Sequence, residues 1–256
     1  SLNSDTTLRT SRDIGDGYYL TNDNNYLKPR TLKENILLQP GDIYSEKAEM
    51  RTRERLVALG LYKFIDLGLS TSDSAKLSTQ INLTPLPRKS IRLEAQAVSK
   101  SNNFVGPLLS IKFQNRNTFR GAELFELKLN GSYEIQIGGQ NDPPLNAFEL
   151  NLEGSLTIPR LVSPFNINYD KLRFMPQTRI SLGSRILRRV DIFQINSFEL
   201  RYGFQWRQSL TKQHSLYPLN VSLVQLSETS PEFDQRLMND SNLARSIEDQ
   251  YIIGAS

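Results

Sequence analysis

The sequence predicts a small α+β domain followed by a long antiparallel sheet that closes as a transmembrane β-barrel. Three observations predict it. From Phe125 the odd positions read Phe125, Leu127, Leu129, Gly131, Tyr133, Ile135 and Ile137, while the even ones read Glu126, Lys128, Asn130, Ser132, Glu134 and Gln136. Side chains alternate across a strand, so one face is oily and the other is wet. About eight such runs follow one another from Ser90, with a helix signal only in the last long connection, as in a meander. The other helix signals crowd ahead of Pro85 and Pro87.

Length decides what the oily face meets. The stretch Phe119 to Ile137 is far longer than an ordinary strand of about five or six residues. A tilted strand needs about 9 to 11 residues to cross the hydrocarbon of a membrane. The oily face is therefore expected to touch lipid.

Composition narrows the chemistry. With 256 residues the chain can hold one large domain or two small ones. A net charge of +4, scattered among acids, points to no nucleic-acid or acidic partner. The absence of cysteine excludes disulfides, thiolate metal sites and cysteine nucleophiles. No run of about 18 apolar residues occurs, so no transmembrane helix is predicted; barrel strands, half polar, leave average hydropathy unremarkable. No signal peptide precedes Ser1, and the chain stops within the apolar run Tyr251–Gly254; both ends read as cut.

In chain order, the first thirty residues or so are polar and read as a loop, with a short apolar group at Tyr18, Tyr19 and Leu20. Thr31 with Glu34 makes a capping box for a first helix, which Pro40-Gly41-Asp42 stops. Ser45 caps a second helix, with Glu46 and Glu49 near its positive end. Ala48, Thr52, Leu56 and Leu59 form its buried face, and Gly60 closes it. Strands follow at Phe64–Leu69 and Leu77–Leu83.

Then come the long alternating runs: Ile91 to Ala97, Leu109 to Phe113, Phe125 to Ile137, Phe148 to Ile158, Phe198 to Trp206, Leu219 to Leu223, and Tyr251 onward. Ile180, Leu182 and Ile186 make a weaker one. Asn115–Gly121 and Ser209–Gln213 are short connections, whereas Gly138–Asn146 and Ser227–Asp249 are long and polar, the latter with a helix from Ser230-Pro231. Arg160–Pro176 is long where a short turn is expected.

Two segments carry a family resemblance. Leu37 to Ser70, LLQPGDIYSEKAEMRTRERLVALGLYKFIDLGLS, resembles a POTRA domain. Asn103 to Ser132, NFVGPLLSIKFQNRNTFRGAELFELKLNGS, resembles the first barrel hairpins of the Omp85 superfamily, of the BamA and TamA type. Its recurring pattern stands here as Asn115-Arg116-Asn117, Phe119, Gly121 and Glu123. The resemblance implies an α+β POTRA domain over 1–88, its first strand at or before Ser1, and the N-terminal half of a sixteen-stranded outer-membrane β-barrel over 89–256. It implies a bacterial outer-membrane location with the POTRA in the periplasm.

By the same resemblance the protein assembles other barrels. Its partners are then unfolded outer-membrane protein clients, outer-membrane lipids, and accessory subunits, lipoproteins or a TamB-like protein. The seam strand, Ile91, Arg92, Leu93, Glu94, Ala95, Gln96, Ala97, Val98 and Ser99, offers its edge to a client strand. The POTRA edge, Phe64, Ile65, Asp66, Leu67, Gly68 and Leu69, takes up extended clients in the same way. No catalytic residue, metal or cofactor is expected, no enzyme activity, and no nucleic acid.

Blander readings apply to the other candidates. His214 is the only histidine and has no second histidine with which to share a metal. Glu123 with Glu126, and Glu149 with Glu153, read as a solvated lumen face rather than acid–base pairs. Arg51, Arg53 and Arg55 lack the interleaved aromatics of a nucleic-acid platform. Arg185, Arg188 and Arg189 suit lipopolysaccharide or phospholipid contact. Tyr202, Phe204 and Trp206 read as lipid-face or girdle residues, and Gly138-Gly139 as a turn. Two rival functions remain: a secretion channel of the two-partner type or other outer-membrane pore, and a soluble lipid-binding β protein.

Overall fold

The computed structural model describes residues 11–21, 26–73, 76–101, 103–137, 146–162, 173–209, 211–239 and 249–255. The chain is mostly antiparallel sheet with few helices. It divides into two compact units: Ser1–Arg88 with Arg116–Glu123 and Val162–Met175, and Lys89–Asn115 with Leu124–Leu161 and Pro176–Ser256.

The first unit opens with a hairpin, β1 (Ser11–Gly15) and β2 (Tyr18–Thr21), where the polar composition suggests a loop. The turn signal is Gly15-Asp16-Gly17, all three at positive φ, which glycine and aspartate tolerate best. Helix α1 (Pro29–Asn35) begins two residues before the predicted capping box. Pro29 explains the shift, because its fixed φ and missing N–H suit the first helical position. No side chain caps Lys28, and Glu34 pairs with Arg30 at 2.7 Å instead. Helix α2 (Glu46–Ala58) starts as expected, the Ser45 hydroxyl accepting from the Ala48 N–H at 3.4 Å, and Gly60 follows it at φ 66°.

Strands β3 (Tyr62–Asp73) and β4 (Lys76–Pro85) pair only with each other among the described residues. Leu27, Leu32, Leu56, Leu59 and Leu61 are buried together, with Ile65, Ile81 and Leu83 packed on them. Two buried polar groups join α2 to α1 and the segment after it. Thr52 accepts from the Leu37 N–H at 2.9 Å, and Arg55 donates to the Glu34 carbonyl at 3.0 Å. After the β1–β2 hairpin the unit runs helix, helix, strand, strand; the first strand expected at or before Ser1 lies outside the described residues.

The second unit is one open sheet. Its strands are β5 (Lys89–Ser99), β6 (Phe104–Arg116), β7 (Leu124–Gln136), β8 (Asn146–Ile158), β9 (Gln177–Arg189), β10 (Phe193–Arg207), β11 (Gln213–Thr229) and β12 (Gln250–Gly254). They run in sequence order from β5 to β12, each hydrogen-bonded to the next. Helix α3 (Pro231–Asn239) follows β11; the Ser230 hydroxyl accepts from the Phe233 N–H, and Phe233 packs on Phe193. The loop 138–145, with Gly138-Gly139, lies outside the described residues, as do 163–172 and 240–248.

Two strands differ from the sequence reading. The stretch from Phe119 becomes extended only at Leu124, because Asn117, Arg120 and Ala122 sit at positive φ and turn the chain. Strand β9, weak in its alternation, runs a full 13 residues. Its hydrogen bonds to β8 and β10 on both sides override the dilution by Gly183, Ser184 and Arg185.

Register keeps the oily residues on one face. Leu93 opposes Ile111, Leu129 opposes Leu152, and Leu182 opposes Leu200; Leu223 then lies between Phe198 and Tyr251. Many of these side chains are exposed, Ile91 at 70% and Leu93 at 72%. Glycine is required at Gly106, where a Cβ would stand 1.8 Å from the Tyr133 carbonyl oxygen.

Candidate functional site

The predicted seam strand, Ile91 to Ser99, occupies the edge of the eight-stranded sheet as β5. It pairs with β6 from Lys89↔Asn115 to Ser99↔Val105, and no described residue pairs along its other side. Because consecutive residues turn their N–H and C=O groups to opposite sides, every second residue of β5 presents unpaired backbone. Ile91, Leu93, Ala95 and Ala97 stand on the oily face of this edge, and Arg92, Glu94 and Gln96 on the other, Arg92 lying 3.7 Å from Glu94.

Across the rest of the sheet the wet face is laced with ion pairs. Glu126 takes Lys112 at 2.7 Å and the Gln114 amide at 2.5 Å, and the Ser110 hydroxyl donates to Asn130 at 2.7 Å. Arg185 pairs with Glu149 at 2.8 Å, Arg179 stands 3.9 Å from Glu153, and Lys100 reaches Glu134 at 2.6 Å. The carboxylates singled out as acid–base candidates are thus engaged by neighbours. Arg188 stands 3.9 Å from Glu228, and Arg189 lies over the rings of Phe104 and Phe193. His214 stacks on Trp206, centroids 5.4 Å apart.

The segment that carried the family pattern has a structural role the sequence did not disclose. Asn117 is fully buried; its side-chain oxygen accepts from the Ala122 N–H at 3.1 Å and its amide donates to the Tyr26 carbonyl. The buried Glu123 carboxylate accepts from the Phe119 and Gly121 N–H groups at 3.0 and 2.9 Å. The Lys28 N–H donates to the Arg120 carbonyl at 2.8 Å, and Ala122 joins the leucine core of the first unit. The pattern residues are the frame of a turn. Glu123→Ala is expected to cost about 1–3 kcal/mol in urea unfolding, because two part-buried N–H groups lose a charged acceptor. Glu123→Gln keeps one acceptor oxygen and is expected to cost less.

Compared with known proteins, the chain matches no family model and no curated sequence.

The predicted strand-addition edge, Phe64 to Leu69, lies within β3, whose ladder to β4 runs along one side only. Phe64 is exposed, with Lys63 over its ring, while Leu67 is buried and the Ile65 carbonyl accepts from Arg53 at 3.2 Å. Burial pushes the Tyr62 hydroxyl up well past its ordinary range, with a smaller push from Tyr26, so Tyr62 stays neutral.

Arg173 to Met175, late in the long connection after β8, belong to the first unit. There Arg173 grips Glu54 of α2 with both arms, Nε to Oε2 at 2.9 Å and Nη2 to Oε1 at 2.5 Å. Phe174 and Met175 beside it are buried. Hydrogen bonds from Arg173, reinforced by its charge, hold the Glu54 carboxyl below its usual range against some desolvation. A carboxyl held low in the fold stabilises it above the unfolded value and loses that contribution as pH falls through the folded one. Glu54→Gln is therefore expected to be less stable than the parent at pH 7, the gap narrowing as the pH falls below the ordinary carboxylate range. Urea midpoints across that range check this. Both side chains keep some solvent exposure, so salt should weaken the effect.

Proposed function

We propose that the chain belongs to an outer-membrane protein assembly factor of the BamA/TamA type. In this reading β5–β12 form the N-terminal half of a barrel and the helical unit is a periplasmic POTRA domain. The observation that carries it is the open edge of β5 on a sheet with one oily face.

The physics is that of backbone hydrogen bonding in oil. Each N–H or C=O left unpaired in hydrocarbon costs several kcal/mol, so a strand entering a membrane needs a template. An eleven-residue strand bonded along one side only supplies such a template. No catalytic side chain is required. Dimensions fit: Phe125 to Ile135 spans ten steps of about 3.3 Å, and a tilt of about 40° leaves ~25 Å along the normal, the height of an outer-membrane apolar band.

The rival reading, a POTRA-bearing secretion channel, draws support from the charged ladder on the wet face, which suits a watery lumen. Reconstitution of the protein in vesicles with an unfolded barrel client separates the two. An assembly factor speeds client insertion over empty vesicles and conducts little current. A channel conducts and leaves client insertion at the rate of empty vesicles.

A further inference from the structure

One end of the sheet, at the border of its oily face, carries cations without acids. The row Ile158, Thr178, Phe204 and Leu216 runs across β8 to β11 by register. Two residues further along these strands stand Arg160, Pro176, Trp206 and His214, the last two paired in register and stacked. Thr178 ties this row together, its hydroxyl donating to the Arg160 carbonyl at 2.8 Å.

Arg207 ends β10, and Lys212 stands in the turn, where Gln208 and Ser209 donate to its carbonyl oxygen. Arg160, Trp206, Arg207, Lys212 and His214 are all exposed, and among the described residues Arg160, Arg207 and Lys212 make no ion pair. From Leu200 to Ser227 the chain has no aspartate or glutamate, and from Gly154 to Leu161 it has none either. On the wet face, by contrast, several cations are matched by carboxylates, as Lys112 is by Glu126 and Arg185 by Glu149.

We propose that this rim binds the headgroup of an anionic phospholipid, whose acyl chains lie along Ile158, Phe204 and Leu216. The guanidinium of Arg160 suits a phosphate, which its forked donors can grip as a pair; Arg207 alternates with Trp206 along β10 and starts from the wet face. Thr178, which holds the Arg160 carbonyl, lies on β9 opposite Phe204, two residues before Trp206 on the neighbouring strand β10. The indole of Trp206 sits where aromatic rings settle, between oil and water. The Tyr202–Phe204 edge contact continues the aromatic belt into the oily side. This inference rests on the reading that the oily face meets lipid.

The test uses the only tryptophan in the chain, Trp206. The protein is reconstituted in phosphatidylcholine vesicles containing a fixed fraction of chain-brominated lipid, either phosphatidylglycerol or phosphatidylcholine. Bromine quenches an indole it touches. The site predicts that brominated phosphatidylglycerol occupies the rim with about fivefold preference or more. The preference should vanish in Arg160→Gln/Lys212→Gln and weaken in Arg160→Lys, which keeps the charge and loses the fork. Equal quenching by both lipids would overturn the site while leaving the lipid-facing reading intact. No quenching by either lipid would overturn both.

Discussion

Proline at one of two neighbouring positions, Glu94 or Ala95, is expected to stop client insertion while the sheet remains folded. Both residues lie in β5, and their N–H groups point to opposite sides of the strand. One of them bonds to β6, opposite Ser110 or Leu109; the other faces the open edge. Proline removes the N–H and is tolerated where that group had no partner in the sheet. The edge-facing substitution should leave the melting behaviour near that of the parent and slow insertion about tenfold or more, one lost backbone bond in hydrocarbon being worth several kcal/mol. The β6-facing substitution should instead destabilise the sheet. Rates of client insertion into vesicles, read beside thermal unfolding of both variants, check the prediction. Unchanged insertion in both folded variants would remove β5 from the mechanism.

The second large effect is a charge placed on the oily face. Leu127 stands near the middle of that face on β7, opposite Gly154 of β8. Leu127→Arg is expected to cost about 2–4 kcal/mol of unfolding free energy in vesicles, the penalty for a cation at the bilayer midplane. Asn130→Arg, on the wet face of the same strand, should lie within about 1 kcal/mol of the parent. A soluble sheet with its oily face uncovered would show little difference between the two.

Much of the architecture was legible because it is periodic. Alternation over Phe125–Ile135 and Phe198–Trp206 marks two strands that the structure places in one sheet with matching faces. Ser45 and Gly60 marked the two ends of α2 because a capping hydroxyl and a left-handed residue are local requirements. The start of α1 was misplaced because two local signals competed, and Pro29 prevailed over the Thr31 box. The β1–β2 hairpin was missed although Gly15-Asp16-Gly17 is a turn signal, since its strands are short and polar.

The candidate site was legible only in part. The alternation of β5 was readable, but its position at the sheet edge depends on which strands pair, and that is a tertiary fact. The buried frame of Asn117 and Glu123 was hidden for the same reason: a polar residue in a turn gives no sign that it will be enclosed. Likewise Arg173 and Glu54 are 119 residues apart in the chain, and no local pattern joins them.

The central claim is that the oily face meets acyl chains, and labelling along β7 tests it most directly. The chain has no cysteine, so single cysteines at Leu127, Lys128, Leu129 and Asn130 can each carry an environment-sensitive fluorophore without background. In reconstituted protein, labels at Leu127 and Leu129 should be quenched by nitroxide on lipid tails, and those at Lys128 and Asn130 by a water-soluble quencher. Labels at Leu127 and Leu129 shielded from the lipid quencher would contradict the account.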